Sequence, residues 1–98
     1  MRRLESSTEQ RVVKWAERHG ILHTKLNIAG RRGWPDRVFW LSPARPVFFE
    51  FKRAGAEPTA LQRYTMHQLK LKGYDVNWTD NTETAIRYLA QRAGIRYP

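Results

Sequence analysis

One short stretch limits this chain more than any other: Val47-Phe48-Phe49-Glu50-Phe51-Lys52. Four of its six residues are bulky, β-favouring and apolar, so it reads as a largely buried strand. Strand alternation puts Phe48, Glu50 and Lys52 on one face and Val47, Phe49 and Phe51 on the other. A carboxylate and an amine therefore project side by side from an apolar element. A salt bridge between Glu50 and Lys52 is the simplest account of them; a chemical site is the other.

The remaining elements follow from periodicity and punctuation. Ser6-Ser7-Thr8-Glu9-Gln10 reads as a helix start, with capping-box spacing for Ser6 and Glu9 and again for Ser7 and Gln10. Val12, Val13 and Ala16 share one helical face, and Gly20 is the stop. Residues 21–28 alternate loosely and read as a strand. Ala29 to Pro35 is a glycine-containing basic turn, and Asp36 to Leu41 is a second strand. Residues 42–46 turn into the third strand described above. Thr59 and Gln62 form another capping-box pattern opening a helix that ends near Gly73. Tyr74 to Trp78 is a fourth strand. Asp80 or Asn81 caps a last helix whose stripe is Ala85, Ile86, Leu89 and Ala93, before Gly94. The predicted order is αβββαβα: a single α/β domain over residues 1–98, with a mixed four-stranded sheet flanked by helices.

Composition narrows the function. The 98 residues carry eighteen Lys and Arg against nine Asp and Glu, a net charge of +9. Residues 1–49 hold +6 of it and residues 50–98 hold +3. Such a balance points to a polyanionic partner, nucleic acid first, because Lys and Arg release counterions condensed on phosphates. The absence of cysteine excludes disulfide scaffolds, zinc ribbons and thiol chemistry. No apolar run is long enough to span a membrane, and Met1 to Glu5 do not open a signal peptide. The expected setting is the cytoplasm, with no membrane partner.

Three residues converge on paper. Strands two and three are joined by a short turn, so they pair as an antiparallel hairpin. Asp36, at the start of one, then lies near the end of the other, beside Glu50 and Lys52. Two hard carboxylates suit Mg²⁺, which keeps most of its waters and takes one or two protein carboxylates. A neighbouring Lys can orient water or offset charge on a phosphoryl group. Glu9 falls on the inward stripe of the first helix, so it either approaches this site or closes its own capping box. Gln62 is likewise a cap partner or a polar contact at the site. Arg31, Arg32, Arg37 and Arg53 are expected to contact phosphates, and Trp34 to stack on a base or sugar. Trp15, Trp40 and Trp78 are expected in the core. His19, His23 and His67 lack metal-type spacing and read as structural or surface residues.

Gly33-Trp34-Pro35-Asp36-Arg37, then Glu50-Phe51-Lys52, then the helix opening Leu61-Gln62 resembles the PD-(D/E)xK nuclease superfamily, and within it the VRR-NUC family of virus-type replication–repair nuclease domains. The resemblance runs from about Glu9 to Ala90. It implies a restriction-endonuclease-like core of order αβββαβ with the last helix added. It implies Asp36 and Glu50 as metal ligands, the main-chain carbonyl of Phe51 as a further one, and Lys52 as the catalytic lysine. Glu9 and Gln62 become supporting active-site residues, Glu9 with access to the metal. The implied activity is Mg²⁺- or Mn²⁺-dependent cleavage of DNA, structure-specific and similar to Holliday-junction resolvases. It would be carried out by a homodimer on branched or four-way-junction DNA, in a bacterial or phage-infected cell. The competing reading is a nuclease fold that holds DNA without cutting it.

Overall fold

The expected apolar strand forms, and it begins earlier than its hydrophobic run. In the computed structural model, which describes residues 7–97, α1 is Ser7–Arg18, β1 Leu22–Lys25, β2 Arg37–Leu41, β3 Arg45–Phe51, α2 Ala60–Leu71, β4 Asp75–Thr79 and α3 Thr82–Ala93. The sheet order is β1-β2-β3-β4. The first three strands are antiparallel, whereas β4 runs parallel to β3, with α2 in the connection between them. Pro46 is tolerated within β3 because β4 pairs only from Val47 onward, so the proline lies where β3 has one neighbour. β1 is shorter than expected because its partner ends: Lys25 pairs with Arg37, the first residue of β2. The main chain then adds one more bond, from Leu26 N to Asp36 O at 2.8 Å. Ser6, read above as a cap, and Met1 to Glu5, read above as not opening a signal peptide, lie outside the described residues.

The two faces of the sheet differ. On one, α1 and α3 pack together over the core of Val12, Trp15, Ala16, Phe39, Val47, Phe49, Phe51, Ile86 and Leu89. Ring contacts knit it: Phe49 stacks on Phe51 at 5.4 Å, and Phe39 meets both edge-on. On the other, α2 packs beside β4 and leaves the β1–β2 part open. Leu22 is 68% exposed there, and its cross-strand neighbour Trp40 is 44% exposed. Of the three tryptophans expected in the core, only Trp15 is buried; Trp40 and Trp78 sit on the face that has a single helix to cover it. Among the described residues no helix is long and apolar enough to cross a membrane.

Polar ties fix the last helix. Asn81, not Asp80, is the cap: its side chain accepts from Thr84 N at 2.9 Å, and Gly94 closes the helix with a left-handed φ of 71°. Asp80 instead accepts from Gly55 N and ties down the loop after β3. Asp75 accepts from Tyr88 at 2.5 Å, from Arg92 at 2.8 Å and from Asn77 at 2.9 Å, locking β4 to α3. Burial pulls the Asp75 carboxyl upward, but the bonds from Tyr88, Asn77 and Arg92 and the Arg92 charge outweigh it and hold its pKa below the usual 3.8. A depressed carboxyl contributes stability that is present above its unfolded value and lost as pH falls through the folded one. Asp75→Asn should therefore lower the melting temperature at pH 7, with the gap to wild type closing below about pH 4. Thermal melts across that range check it, and a gap independent of pH would contradict it.

Candidate active site

The site is assembled from the turn before β2, the end of β3 and the start of α2. Gly33 has φ +87°, a conformation that favours glycine. A Cβ there would stand 2.7 Å from Leu61 Cγ and 3.1 Å from Thr65 Oγ1, so the missing side chain is what lets the turn lie against α2. Pro35 is fully buried behind it, and Asp36 follows. Its Oδ2 accepts from Phe51 N at 2.8 Å. That bond crosses from the end of one strand to the end of the next, as the hairpin register Arg37↔Phe49 requires. It fixes the Phe51 peptide beside the Asp36 carboxylate.

Glu50 is only 3% exposed and faces α2, opposite the Phe49 and Phe51 rings. Lys52 Nζ lies 3.3 Å from its Oε2, and Gln62 Nε2 donates to the same oxygen at 2.9 Å. Both readings of Gln62 hold at once. Thr59 Oγ1 accepts from Gln62 N at 3.1 Å, and Thr59 N donates to Gln62 Oε1 at 2.8 Å, a complete capping box. With its carbonyl oxygen spent on the cap, the Gln62 amide nitrogen is left to face Glu50. Among the described residues no three His, Cys, Asp or Glu side chains gather as a metal group. Asp36 and Glu50 are two carboxylates, a donor chemistry that fits a hard ion that keeps most of its waters.

No family model matches the chain. The chain is 32% identical over 79 residues, 81% of its own length and 85% of the other, to "Putative nuclease p44" of Acyrthosiphon pisum secondary endosymbiont phage 1. A solved structure described as a VRR_NUC domain superposes with TM-score 0.76 at 22% identity, covering 87% of this chain and 91% of that one. A second, a VRR_NUC domain protein, gives TM-score 0.77 at 16% identity over 97% and 93%. The chain belongs to the VRR-NUC family.

Within this VRR-NUC domain, two expected site residues take other positions. Arg37 does not reach toward phosphates. It is 6% exposed, its Nε donates to Glu9 Oε2 at 3.2 Å and its Nη1 contacts His23 Nδ1 at 2.7 Å. The reason is strand alternation: Arg37 follows Asp36, so it points to the opposite face, under α1. Glu9 lies there too, wholly buried, with Lys25 Nζ at 3.0 Å. Its carboxylate accepts from both Arg37 and Lys25. Arg31, Arg32 and Arg53 are exposed as expected, and Arg31 lies over the half-buried Trp34 ring at 5.5 Å. Sequence reasoning passed over Lys25 as Glu9's partner. It also passed over Tyr64, Gln68 and Lys72, which line a groove beside Trp34. The spacing of Leu61, Thr65, Gln68 and Lys72 along one helical stripe was the available signal.

Gln62→Glu tests the double duty of that side chain. A glutamate keeps the cap but turns a donor facing Glu50 into a like charge. A hydrogen bond to a charged group is worth about 1.5–3 kcal/mol, so a urea melt at pH 7 should show a loss of about 2 kcal/mol or more. The loss should shrink as pH falls, because the first proton taken up by the carboxylate pair relieves its repulsion. Stability equal to wild type at pH 7 would mean that the amide does not support Glu50.

Proposed function

We propose that this VRR-NUC domain is a divalent-metal-dependent DNA endonuclease whose working residues are Asp36, Glu50 and Lys52. The observation that carries the reading is their convergence: Asp36 bound to the Phe51 amide, one residue from Glu50, which in turn holds Lys52 at 3.3 Å. A salt bridge alone would need neither Asp36 nor the Gln62 donor. The nuclease name borne by its phage relative agrees with it.

Asp36, Glu50 and the Phe51 carbonyl are the groups that would hold Mg²⁺ or Mn²⁺. The ion, when bound, supplies Lewis-acid polarisation of the phosphoryl oxygen and a nucleophile at neutral pH. The residues do the positioning. Phe51 N fixes one Asp36 oxygen, and Gln62 fixes one Glu50 oxygen, so neither carboxylate reorganises when substrate arrives. Lys52 is partly exposed, so its ammonium can meet a phosphate entering from solvent and offset the charge that builds on it. Glu9 acts at one remove, by holding Arg37 and with it the start of β2.

The finer reading is a homodimer acting on four-way junctions. The domain measures 35 × 30 × 25 Å, about ten base pairs at roughly 3.4 Å each, with one such site among the described residues. Two opposed cuts need a two-fold pair. The exposed Leu22–Trp40 patch offers an apolar surface for it.

Supercoiled-plasmid nicking with Mg²⁺, Mn²⁺ or EDTA tests the activity. Wild type should nick with either metal and not with EDTA. Asp36→Ala, Glu50→Ala and Lys52→Ala should each cut at least about 100-fold more slowly, the scale of losing one preorganised electrostatic group, while melting cooperatively. Wild-type nicking by Glu50→Ala, or DNA binding without any cutting by wild type, would overturn the reading. For the assembly, sedimentation should give twice the 11.6 kDa chain mass, and junctions should be cut in preference to duplex. A species at the monomer mass that cuts both alike would leave a plain nuclease.

A further inference from the structure

A cavity of about 620 Å³ opens at the end of the sheet opposite the proposed cutting residues. Arg45 and Asp75 begin the parallel strands β3 and β4 at this end, whereas Phe51 closes β3 beside Asp36 at the other. The 7 residues of β3 span about 20 Å, so the cavity lies apart from the nuclease site. Pro46, Gly73 and the Tyr74 ring wall it, with Arg45, Asp75 and Arg92 around them.

Two guanidiniums meet here. Arg45 and Arg92 are 47 residues apart in the chain, yet Arg45 Nη1 reaches the Arg92 main-chain oxygen at 3.5 Å, the long limit of a hydrogen bond. Arg92 is fixed more firmly. Its Nε donates to Asp75 Oδ2 at 2.8 Å, and its Cζ lies 3.8 Å from the centroid of the Tyr88 ring. The bond uses one of the five N–H donors of a guanidinium, and the ring holds the plane of the others. Among the described residues Asp75 is the one carboxylate in the lining, so two cations against one anion leave the cavity positive. The Asp75 charge is already shared among Tyr88, Asn77 and Arg92. Tyr74 is 48% exposed even though its ring meets Phe48 edge-on at 6.1 Å. A ring so exposed has surface left for a flat partner.

This lining calls for an anion with a flat apolar body. A phosphate monoester carries about two negative charges at neutral pH and three acceptor oxygens, and guanidinium forks match it. An aromatic base supplies the surface that stacks on a tyrosine, with Pro46 as a further apolar wall. The volume lies within the range of about 300–1,000 Å³ that small-molecule sites occupy. A backbone phosphodiester has a single charge, and a duplex hides its base faces, so a DNA duplex matches neither half of the lining.

We infer that this cavity binds a nucleoside 5′-monophosphate, its base on Tyr74 and its phosphate between Arg45 and Arg92. The inference stands apart from the nuclease reading: it needs no metal and none of Asp36, Glu50 and Lys52.

Calorimetric titration of the whole chain in EDTA tests it, with AMP, adenosine, inorganic phosphate and 3′,5′-cyclic AMP as probes. AMP should bind. Adenosine and phosphate each lack one half of it, and cyclic AMP, a diester, lacks one charge; each should bind at least about 10-fold more weakly, the scale of a lost bond to a charged group. Arg45→Ala, a surface change, should weaken AMP by about 10-fold or more on the same scale. Tyr74→Ala should weaken it about 5- to 100-fold, the range of one lost base–aromatic stack. Both variants should melt cooperatively. No AMP binding by wild type, phosphate or cyclic AMP bound as tightly as AMP, or wild-type AMP affinity in either folded variant would overturn the assignment. The nuclease reading fails on a different result, the absence of metal-dependent nicking, which this titration does not touch.

Discussion

The arrangement turns on one hydrogen bond, from Phe51 N to Asp36 Oδ2 at 2.8 Å. β3 is paired on both edges, and each of its N–H groups needs an acceptor. On the β4 side the ladder continues past the strand end, with Lys52 N donating to Thr79 O at 2.9 Å. On the β2 side the main chain has run out, because β2 starts at Arg37. The Asp36 side chain takes over as the acceptor. A strand end that would otherwise carry an unsatisfied amide thus becomes the place where a carboxylate is held still. Asp36 and Glu50 meet there because the hairpin register leaves no other place for them.

Two buried carboxylates in this domain illustrate two uses of the same side chain. Burying a charge costs several kcal/mol unless partners offset it. Glu9 is offset by Lys25 and Arg37 under α1, a closed arrangement that ties the first helix to the β1–β2 edge. Glu50 is offset by a partly exposed ammonium and an amide at the opposite face, an arrangement open to solvent on the lysine side. The two are coupled through the backbone. Arg37 is anchored on one face, and Asp36, its neighbour in the chain, is thereby presented on the other.

Much of this was legible in the sequence. The β3 hydrophobic run, the glycine turn, the Thr59–Gln62 box and the element order all follow from local rules, and the structure has each of them. The convergence of Asp36 with Glu50 followed from strand alternation and a short hairpin. Arg37 is not at the site because alternation along β2 sends Asp36 and Arg37 to opposite faces. Trp40 and Trp78 could not be placed from local pattern, since their exposure depends on how many helices cover each face of the sheet. The groove was hidden for a related reason. Its α2 wall is an ordinary amphipathic stripe until the turn is folded against it by the Gly33–Leu61 approach.

The central claim is that Asp36 and Glu50 act together as a cation site, and calorimetric titration of Mn²⁺ into the folded protein tests it without requiring any DNA. Wild type should bind the ion, and Asp36→Asn and Glu50→Gln, which keep the shape of each side chain, should each lose that binding while retaining a cooperative melt. Mn²⁺ binding of wild-type strength in either variant would contradict the account.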